Sequence, residues 1–353
     1  MAKHINIPIF IPHEGCPNDC VFCNQRTITG QCQKADRDIK EEINQALSTY
    51  TGDAENAEIA FFGGSFTGID RDVMIRLLDD AYEYVKNGKV SSIRLSTRPD
   101  YIDAEILDIL KSRGVTHIEL GIQSAVDRVL SASKRGHAFA DTEKACKLIN
   151  DYGFILGGQM MVGLPGATVE DEILTAQKIA ELGCKEARIY PTVVFYDTEL
   201  CEMAKNGSYT PLTTDEAVER CYQAYHALTS HTTNKSGSIK VLRIGLHASE
   251  NLADTSKVYA GANHPAMGEL VMSKGFYHSV IDILAHYKEH PEYNYKGKIF
   301  IIKCHSSNMS QVIGQHKKNK ADFLKTALEI GFSGLKIVTD DKLEKGCFDT
   351  LFE

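Results

Sequence analysis

Three cysteines stand close together near the start of the chain, at Cys16, Cys20 and Cys23. Their spacing is C-x3-C-x2-C, and they directly follow an apolar run, Ile5 to Ile11, that is typical of a strand. Thiolates are the usual ligands of iron–sulfur clusters, so a tight loop of three can bind three corners of a cubane [4Fe–4S] cluster. The fourth iron then has no protein ligand and can bind a small molecule.

Other readings of these thiols remain open. A disulfide needs an oxidising compartment, and residues 1–4 lack the apolar segment of a signal peptide. A zinc site usually has four ligands, yet the nearest later cysteine, Cys32, stands alone. A redox pair formed by Cys20 and Cys23 leaves Cys16 unexplained. The spacing therefore favours a cluster with three protein ligands.

The composition indicates a globular protein of about two units. The 353 residues are 43% hydrophobic and 24% charged, and no apolar run approaches the ~20 residues that span a membrane. We therefore predict a cytoplasmic protein. The formal net charge of −8 argues against nucleic-acid binding by the whole surface, but residues 296–353 carry ten Lys and seven Asp or Glu and are positive.

Strand-like segments alternate with amphipathic helices over the first two thirds of the chain. Six strands are predicted: Ile5–Ile11, Glu58–Phe62, Ser91–Thr97, Thr116–Gly121, Gly153–Gly163 and Glu186–Val194. This alternation implies a parallel sheet with right-handed crossovers, either a barrel or a doubly wound sheet. Polar and glycine motifs follow the strand ends, which a barrel gathers around one mouth. We therefore predict an α/β fold with a partial (β/α)6 TIM-like barrel.

The cysteine loop, with Phe22 before the last cysteine, resembles the signature of the radical S-adenosylmethionine (SAM) superfamily. Over roughly residues 4–245 the chain is similar to the radical SAM domain of the Elongator catalytic subunit, without the acetyltransferase domain of that subunit. The segments that carry this resemblance occur in the same order: Ser96–Tyr101, Glu119–Ser124, Lys134–His137, Ile189–Thr192 and Val241–Ile244. A more distant likeness is to oxygen-independent coproporphyrinogen oxidase.

The resemblance implies two cofactors, a [4Fe–4S] cluster and SAM. Gly63 and Gly64 match the segment whose backbone approaches the amino end of SAM, although alone they also fit a tight turn. Phe22 matches a residue near the adenine. We assign Arg135 to the SAM carboxylate because a guanidinium can donate two hydrogen bonds to it. The positions that match the family's ribose and carboxylate contacts are Ser96, Arg98, Gln123, Arg135 and Gln159; the porphyrin enzymes carry an acidic residue in place of Ser96.

Arg188 and Tyr190 lie on the sixth predicted strand and face the same mouth. We predict that they contact the substrate and count them with the cluster cysteines as catalytic candidates. Ordinary packing inside the barrel is the alternative reading for both side chains.

The predicted organisation has three parts: a barrel over residues 1–245, an edge or linker segment over 246–295, and a small α+β domain over 296–353. In the last part, Gly314-Gln315-His316-Lys317 precedes an amphipathic helix and resembles the Gly-x-x-Gly loop of KH domains, which clamps a nucleic-acid backbone. Lys317 replaces the second glycine. Lys317 and Lys318 are therefore candidate RNA contacts, and a basic capping domain is the alternative.

Together these features favour a radical SAM enzyme that acts on RNA, most simply at a tRNA base. Its partners would be the RNA and a one-electron reductant such as flavodoxin or ferredoxin, with no membrane. One alternative is radical chemistry on a small, porphyrin-like metabolite. Another is a non-catalytic RNA-binding protein with a structural cluster.

Overall fold

The computed structural model describes residues 4–11, 15–16, 20–24, 35–230, 239–246, 254 and 256–353. The middle of the cysteine loop, Pro17 to Asp19, lies outside the described residues, and so does Cys32. The chain divides into two compact units between Pro265 and Ala266.

The first unit is built on a parallel sheet whose strand order follows the chain. The strands of this unit are β1 (Ile5–Ile11), β2 (Ala57–Gly63), β3 (Ser92–Thr97), β4 (Val115–Gln123), β5 (Ile155–Val162), β6 (Glu186–Pro191), β7 (Val193–Phe195), β8 (Lys240–Ile244) and β9 (Val258–Gly261). The sheet has the order β1-β2-β3-β4-β5-β6-β8, and its neighbouring strands pair in parallel. An open parallel sheet in sequential order is a partial TIM-like barrel, so the predicted fold class is confirmed.

Helices connect the strands and bury one face of the sheet. They are α1 (Lys40–Thr49), α2 (Arg71–Lys86), α3 (Ala104–Ser112), α4 (Asp127–Ala132), α5 (Phe139–Asp151), α6 (Val169–Glu181), α7 (Glu199–Lys205) and α8 (Thr214–Ser230). In α2, Met74, Leu77 and Ala81 are buried, as their helical spacing predicts. Asp70 caps α2 by accepting first-turn N–H groups, and Thr168 caps α6 through its side-chain hydroxyl.

The sheet has a seventh strand, and its sixth strand is shorter than the sequence predicted. β6 ends at Pro191, whose nitrogen has no N–H to donate to a neighbouring strand. After Thr192, β7 pairs antiparallel with β9 instead of continuing β6. β8 pairs with β6 at the edge of the sheet. Most of its side chains stay half-buried there, so it lacks the strong apolar run of a central strand.

The second unit is a small α+β assembly. Its elements are α9 (Met267–Glu289), β10 (Ile299–Cys304), α10 (Met309–Ile313), α11 (Lys318–Ile330), β11 (Gly334–Thr339) and β12 (Phe348–Phe352). β10 is the central strand, parallel to β11 and antiparallel to β12.

The core of this unit joins α9 to the sheet. Phe276, Val280 and Leu284 form an i, i+4, i+8 stripe on α9 and are buried with Phe300 and Phe323. The sequence pattern predicts that this helix belongs to the segment 246–295, apart from the small domain. Its apolar stripe makes it part of the core that contains the sheet.

Within the described residues, no helix is both long and apolar enough to cross a membrane.

Candidate functional site

The cysteine loop follows β1 and is bound by backbone hydrogen bonds to two other parts of the first unit. Cys20 is only 8% exposed, whereas Cys16 and Cys23 are half-buried. Beside Cys20, the N–H of Val21 donates to the carbonyl oxygen of Ser133 at 3.3 Å, and its carbonyl accepts from the N–H of Leu200 at 2.8 Å. The loop is therefore tied to the turn after α4 and to α7.

Gly15 places the start of the cysteine loop directly against the turn after β2. Its φ is +76°, and a Cβ atom there would lie 2.2 Å from the carbonyl oxygen of Ser65. Glycine meets both requirements because it tolerates a positive φ and has no side chain. The approach between these two turns thus depends on the absence of one methyl group.

Gly15→Ala should therefore cost much more stability than Gly88→Ala. Gly88 also has a positive φ, +64°, but nothing lies within 4 Å of a Cβ there. We expect Gly88→Ala to lower the free energy of unfolding by about 1–2 kcal/mol through backbone strain. Gly15→Ala should lose a further ~1–3 kcal/mol through the steric clash. Urea unfolding measures the free energy of unfolding of both variants. Equal losses of stability in the two variants would show that the cysteine loop relaxes freely.

The end of β2 also lies close to the end of β1. Gly63 has a φ of +109°, and a Cβ there would lie 2.8 Å from the carbonyl oxygen of Ile11. The N–H of Gly64 donates to the same carbonyl at 2.6 Å. The two glycines therefore keep the backbone at this strand end free of side-chain bulk.

Two buried arginines lie beside the cysteine loop. Arg135 donates from Nη1 to Cys20 Sγ at 3.3 Å and from Nη2 to the carbonyl oxygen of Gly121 at 2.7 Å. Arg98 donates from Nε and Nη2 to Asp100, and its Nη2 also donates to the carbonyl oxygen of Arg135 at 2.6 Å. Arg98 is 3% exposed and Arg135 6%. Both cations are thus held out of water, and Arg135 contacts a thiol.

Burial raises the pKa of the Cys16 thiol, while a hydrogen bond from the Ser65 backbone and the charges of Arg98 and Arg135 act in the opposite direction. Cationic neighbours stabilise a thiolate, which is the form that binds iron. The surroundings of the loop therefore suit a bound metal cluster once the thiols are deprotonated.

Several polar atoms around these arginines have no hydrogen-bond partner in the described part of the chain. They include Arg98 Nη1, Arg135 Nε and Gln123 Oε1, all buried. Buried polar groups nearly always have partners. Two cationic donors can thus bind an anionic group of a ligand, and one acceptor can bind a donor group of the same ligand. SAM has these groups, and the residues present fit it together with a cluster.

No group of three or more His, Cys, Asp or Glu side chains in the described ranges is arranged to hold a single metal ion. A cubane cluster instead spreads its ligands over several irons. Phe22 packs at the edge of a small apolar cluster formed by Val21, Val194 and Leu200.

A second set of polar side chains lies on the face of the sheet that points away from the buried apolar residues. Gln159 Nε2 donates to Ser96 Oγ at 3.2 Å and to Glu119 Oε2 at 2.8 Å. Arg188 donates to both oxygens of Glu119, at 2.6 Å and 3.1 Å. Tyr190 lies two residues further along β6, on the same face of the sheet as Arg188. The structure therefore joins Ser96, Gln159 and Arg188 through one carboxylate.

The same face continues into a buried ion network. Arg94 donates to Glu58 at 2.8 Å, to Glu119 at 2.8 Å and to Glu186 at 3.1 Å. Despite the cost of burial, the positive charges of Arg188 and Arg94 keep the pKa of Glu119 below its usual value. The Glu119 carboxylate likewise raises the pKa of Arg188. Glu119 and Arg188 therefore stay ionised at neutral pH.

Sequence reasoning assigned no role to Glu119, Arg94 or Glu186. A signal was present, because charged or polar residues recur at every second position of otherwise apolar strands, as in Arg94, Ser96 and Arg98. That periodicity places them on one face of the sheet. It does not reveal which charges pair. Lys317 and Lys318, also among the predicted site residues, lie in the second unit.

Two family models cover most of the chain. The model of the radical SAM superfamily matches residues 10–179, and that of the radical SAM C-terminal domain matches residues 184–275. The chain belongs to the radical SAM superfamily.

Within that superfamily, the chain is similar to Elongator-type proteins. It is 33% identical over 147 residues to the tRNA uridine(34) acetyltransferase of Methanocaldococcus infernus. The aligned segment covers 40% of this chain and 28% of the relative. An uncharacterized protein of Methanocaldococcus jannaschii is 30% identical over 221 residues, 60% of this chain and 67% of that protein.

The fold is similar to that of the Methanocaldococcus infernus Elp3 structure that lacks residues 1–46. The TM-score is 0.59 at 21% identity, over 77% of this chain and 62% of that chain. The resemblance inferred from the sequence motifs is thus confirmed. The chain matches only part of the length of its curated relatives, 28% and 24% of two archaeal tRNA uridine(34) acetyltransferases.

Proposed function

We propose that the protein is a radical SAM enzyme that acts on RNA, with a tRNA base as the target. The enzymatic part of this proposal is supported by the buried Arg135, which contacts Cys20 and whose Nε has no hydrogen-bond partner among the described residues. A cation fixed between a cluster thiol and an open hydrogen-bonding position can bind the SAM carboxylate next to the cluster.

In this proposal Cys16, Cys20 and Cys23 hold three irons of a [4Fe–4S] cluster. When bound, the cluster and SAM together supply a 5′-deoxyadenosyl radical, formed by one-electron cleavage of the C5′–S bond, which takes a hydrogen atom from the substrate. The electron would come from a small donor protein such as flavodoxin or ferredoxin.

The side chains of this protein bind and orient the reactants. Arg135 holds the SAM carboxylate, and Arg98 keeps Arg135 in place through its backbone carbonyl. Ser96 and Gln159 face the ribose, and Gly63 leaves space for the amino end of SAM. Arg188 and Tyr190 contact the substrate. The burial of both arginines keeps water from competing for these contacts.

Anaerobic reconstitution with iron and sulfide, followed by reduction in the presence of SAM, tests this proposal directly. We expect 5′-deoxyadenosine and methionine as products, and incubation with tRNA should change a base detectable by mass spectrometry. A reconstituted, reduced protein that leaves SAM intact would rule out the enzymatic proposal. SAM cleavage without any change in tRNA would instead favour a small-molecule substrate.

The proposal that RNA is the substrate is supported by the relatives named tRNA uridine(34) acetyltransferase and by a turn in the second unit. This turn joins α10 to α11 and contains Gly314 with a φ of +75° and Lys317 with a φ of +61°. Lys317 stands at the second glycine of the Gly-x-x-Gly pattern and adopts the left-handed backbone that glycine favours. Lys317 and Lys318 are exposed and would contact RNA phosphates.

Replacing Lys317 and Lys318 with alanine should weaken tRNA binding in a salt-dependent way. Log K falls as log salt concentration rises, and each lost phosphate contact reduces the magnitude of this negative slope by about 1, so the pair should reduce it by about 2. Titrations at several salt concentrations measure this slope.

The matched control is Lys342→Ala with Lys345→Ala, two exposed lysines of the same unit. This variant removes the same charge and should leave the slope within about one unit of wild type. Equal slopes for the two double variants would show that net charge, and not the turn, attracts RNA.

A further inference from the structure

Among the described residues on the polar face of the sheet, Glu119 accepts four side-chain hydrogen bonds. It lies on β4, is 1% exposed, and accepts from Arg94 Nη1 at 2.8 Å, from Gln159 Nε2 at 2.8 Å and from two nitrogens of Arg188 at 2.6 Å and 3.1 Å. Its partners come from strands β3, β5 and β6. One carboxylate therefore fixes side chains on three other strands.

The carboxylate also decides how Gln159 is oriented. An ionised carboxylate only accepts hydrogen bonds, so Gln159 must turn its NH2 group toward Glu119. The same NH2 group also donates to Ser96 Oγ. The amide oxygen of Gln159 consequently faces away from Glu119 and remains available as an acceptor. A ribose hydroxyl is a donor that this oxygen can accept from.

The orientation of Arg188 depends on Glu119 as well. Two guanidinium nitrogens, Nε and Nη2, are used by the carboxylate, and the guanidinium carbon lies 5.4 Å from the centre of the Phe62 ring. A planar guanidinium held on one edge by a bidentate ion pair has little rotational freedom. The remaining nitrogen, Nη1, therefore points in a fixed direction.

We propose that Glu119 is a positioning residue, which orients Gln159 toward the ribose of SAM and Arg188 toward the substrate and so links the two halves of the site. This inference rests on the proposed function. The inference goes beyond the proposed function because it makes the affinity for SAM depend on a residue that touches neither SAM nor the substrate.

The test is SAM binding by the cluster-reconstituted full chain, measured by equilibrium dialysis under anaerobic conditions. In Glu119→Gln, the new amide can both donate and accept, so Gln159 can turn either its NH2 group or its amide oxygen toward position 119. We expect the Kd for SAM to rise about tenfold, which corresponds to about 1.4 kcal/mol. The electron paramagnetic resonance spectrum of the reduced cluster should keep its shape without SAM but lose most of the change that SAM induces.

The matched control is Glu58→Gln. Glu58 is also buried and also pairs with Arg94, and no hydrogen bond joins it to Gln159 or Arg188 in the described part of the chain. We expect its Kd for SAM to stay within about twofold of wild type. An equal loss in Glu58→Gln and Glu119→Gln would overturn the inference, because it would indicate general damage to the ion network.

A double-mutant cycle tests whether Glu119 acts through Gln159. If it does, Gln159→Leu and the double variant Glu119→Gln, Gln159→Leu should have the same Kd for SAM. Additive losses would contradict the inference.

A second design covers the case in which Glu119→Gln does not fold. The exchange variant Glu119→Gln, Gln159→Glu keeps one carboxylate in the ion network and again presents only acceptor oxygens at position 159. We expect it to bind SAM within about threefold of wild type, or ~0.7 kcal/mol. A folded exchange variant that does not bind SAM would overturn the inference. Wild type failing to bind SAM would instead reject the proposed function.

Discussion

Replacing Cys20 with alanine is expected to abolish the cluster and all SAM cleavage. Cys20 is the most buried of the three loop cysteines, and its sulfur accepts a hydrogen bond from Arg135. A cluster with three protein ligands cannot lose one without exposing a second iron to solvent. We expect the iron content to fall from about four per chain to background. Products of SAM cleavage should fall to the level of a protein-free reaction.

The control for this experiment is Cys221→Ala. Cys221 is fully buried on α8, and burial raises the pKa of its thiol well above the usual value. Such a thiol stays protonated and binds no iron. The Cys221 variant should therefore keep its iron and its activity. A Cys20 variant that retains a full cluster and cleaves SAM at the wild-type rate would contradict the assignment of the loop as the cluster site.

Replacing Arg94 with methionine is expected to destabilise the first unit severely. Arg94 is 3% exposed and pairs with Glu58, Glu119 and Glu186. Methionine fills most of the volume but leaves buried carboxylates without their cation. Removing one partner of a buried ion pair costs about 3–5 kcal/mol. Urea unfolding monitored by circular dichroism should show a midpoint shifted far toward lower urea.

The matched control is Arg71→Met, which removes an arginine from an exposed ion pair with Glu105 at 3.0 Å. Exposed pairs contribute about 0–1 kcal/mol, so this variant should unfold close to wild type. Similar stabilities for the Arg94 and Arg71 variants would mean that water enters the network and solvates the carboxylates. At low pH the difference between Arg94→Met and wild type should narrow, because protonated carboxyl groups no longer need the cation.

Local signals in the sequence predicted much of the first unit. The helical spacing of Met74, Leu77 and Ala81 and the hydroxyl at Thr168 are short-range features that indicate a helix and a helix start, and the structure contains α2 and α6 at these places. The same reasoning missed the break at Pro191 and the edge strand β8. An edge strand is half-solvated, so its composition carries a weaker apolar signal than that of a central strand.

The assignment of α9 shows a different limit. Its buried residues Phe276, Val280 and Leu284 have clear helical spacing, yet spacing alone does not say which core a helix will join. That choice depends on a complementary apolar surface, here formed by Phe300 and Phe323. Such surfaces are made of residues distant in the chain, so only the folded structure reveals them.

The sequence by itself determined the superfamily and the residues that are candidates for binding its cofactors. Three thiols in eight residues and polar residues at successive strand ends are local patterns that predict a cluster loop and a barrel mouth, and the resemblance to the radical SAM superfamily implies SAM. Only the tertiary structure decided which charges meet. Arg94 pairs with carboxylates 36, 25 and 92 residues away, and Glu119 meets Arg188 across 69. Strand order and register bring these side chains together, because hydrogen bonding between parallel strands aligns positions that the chain keeps far apart.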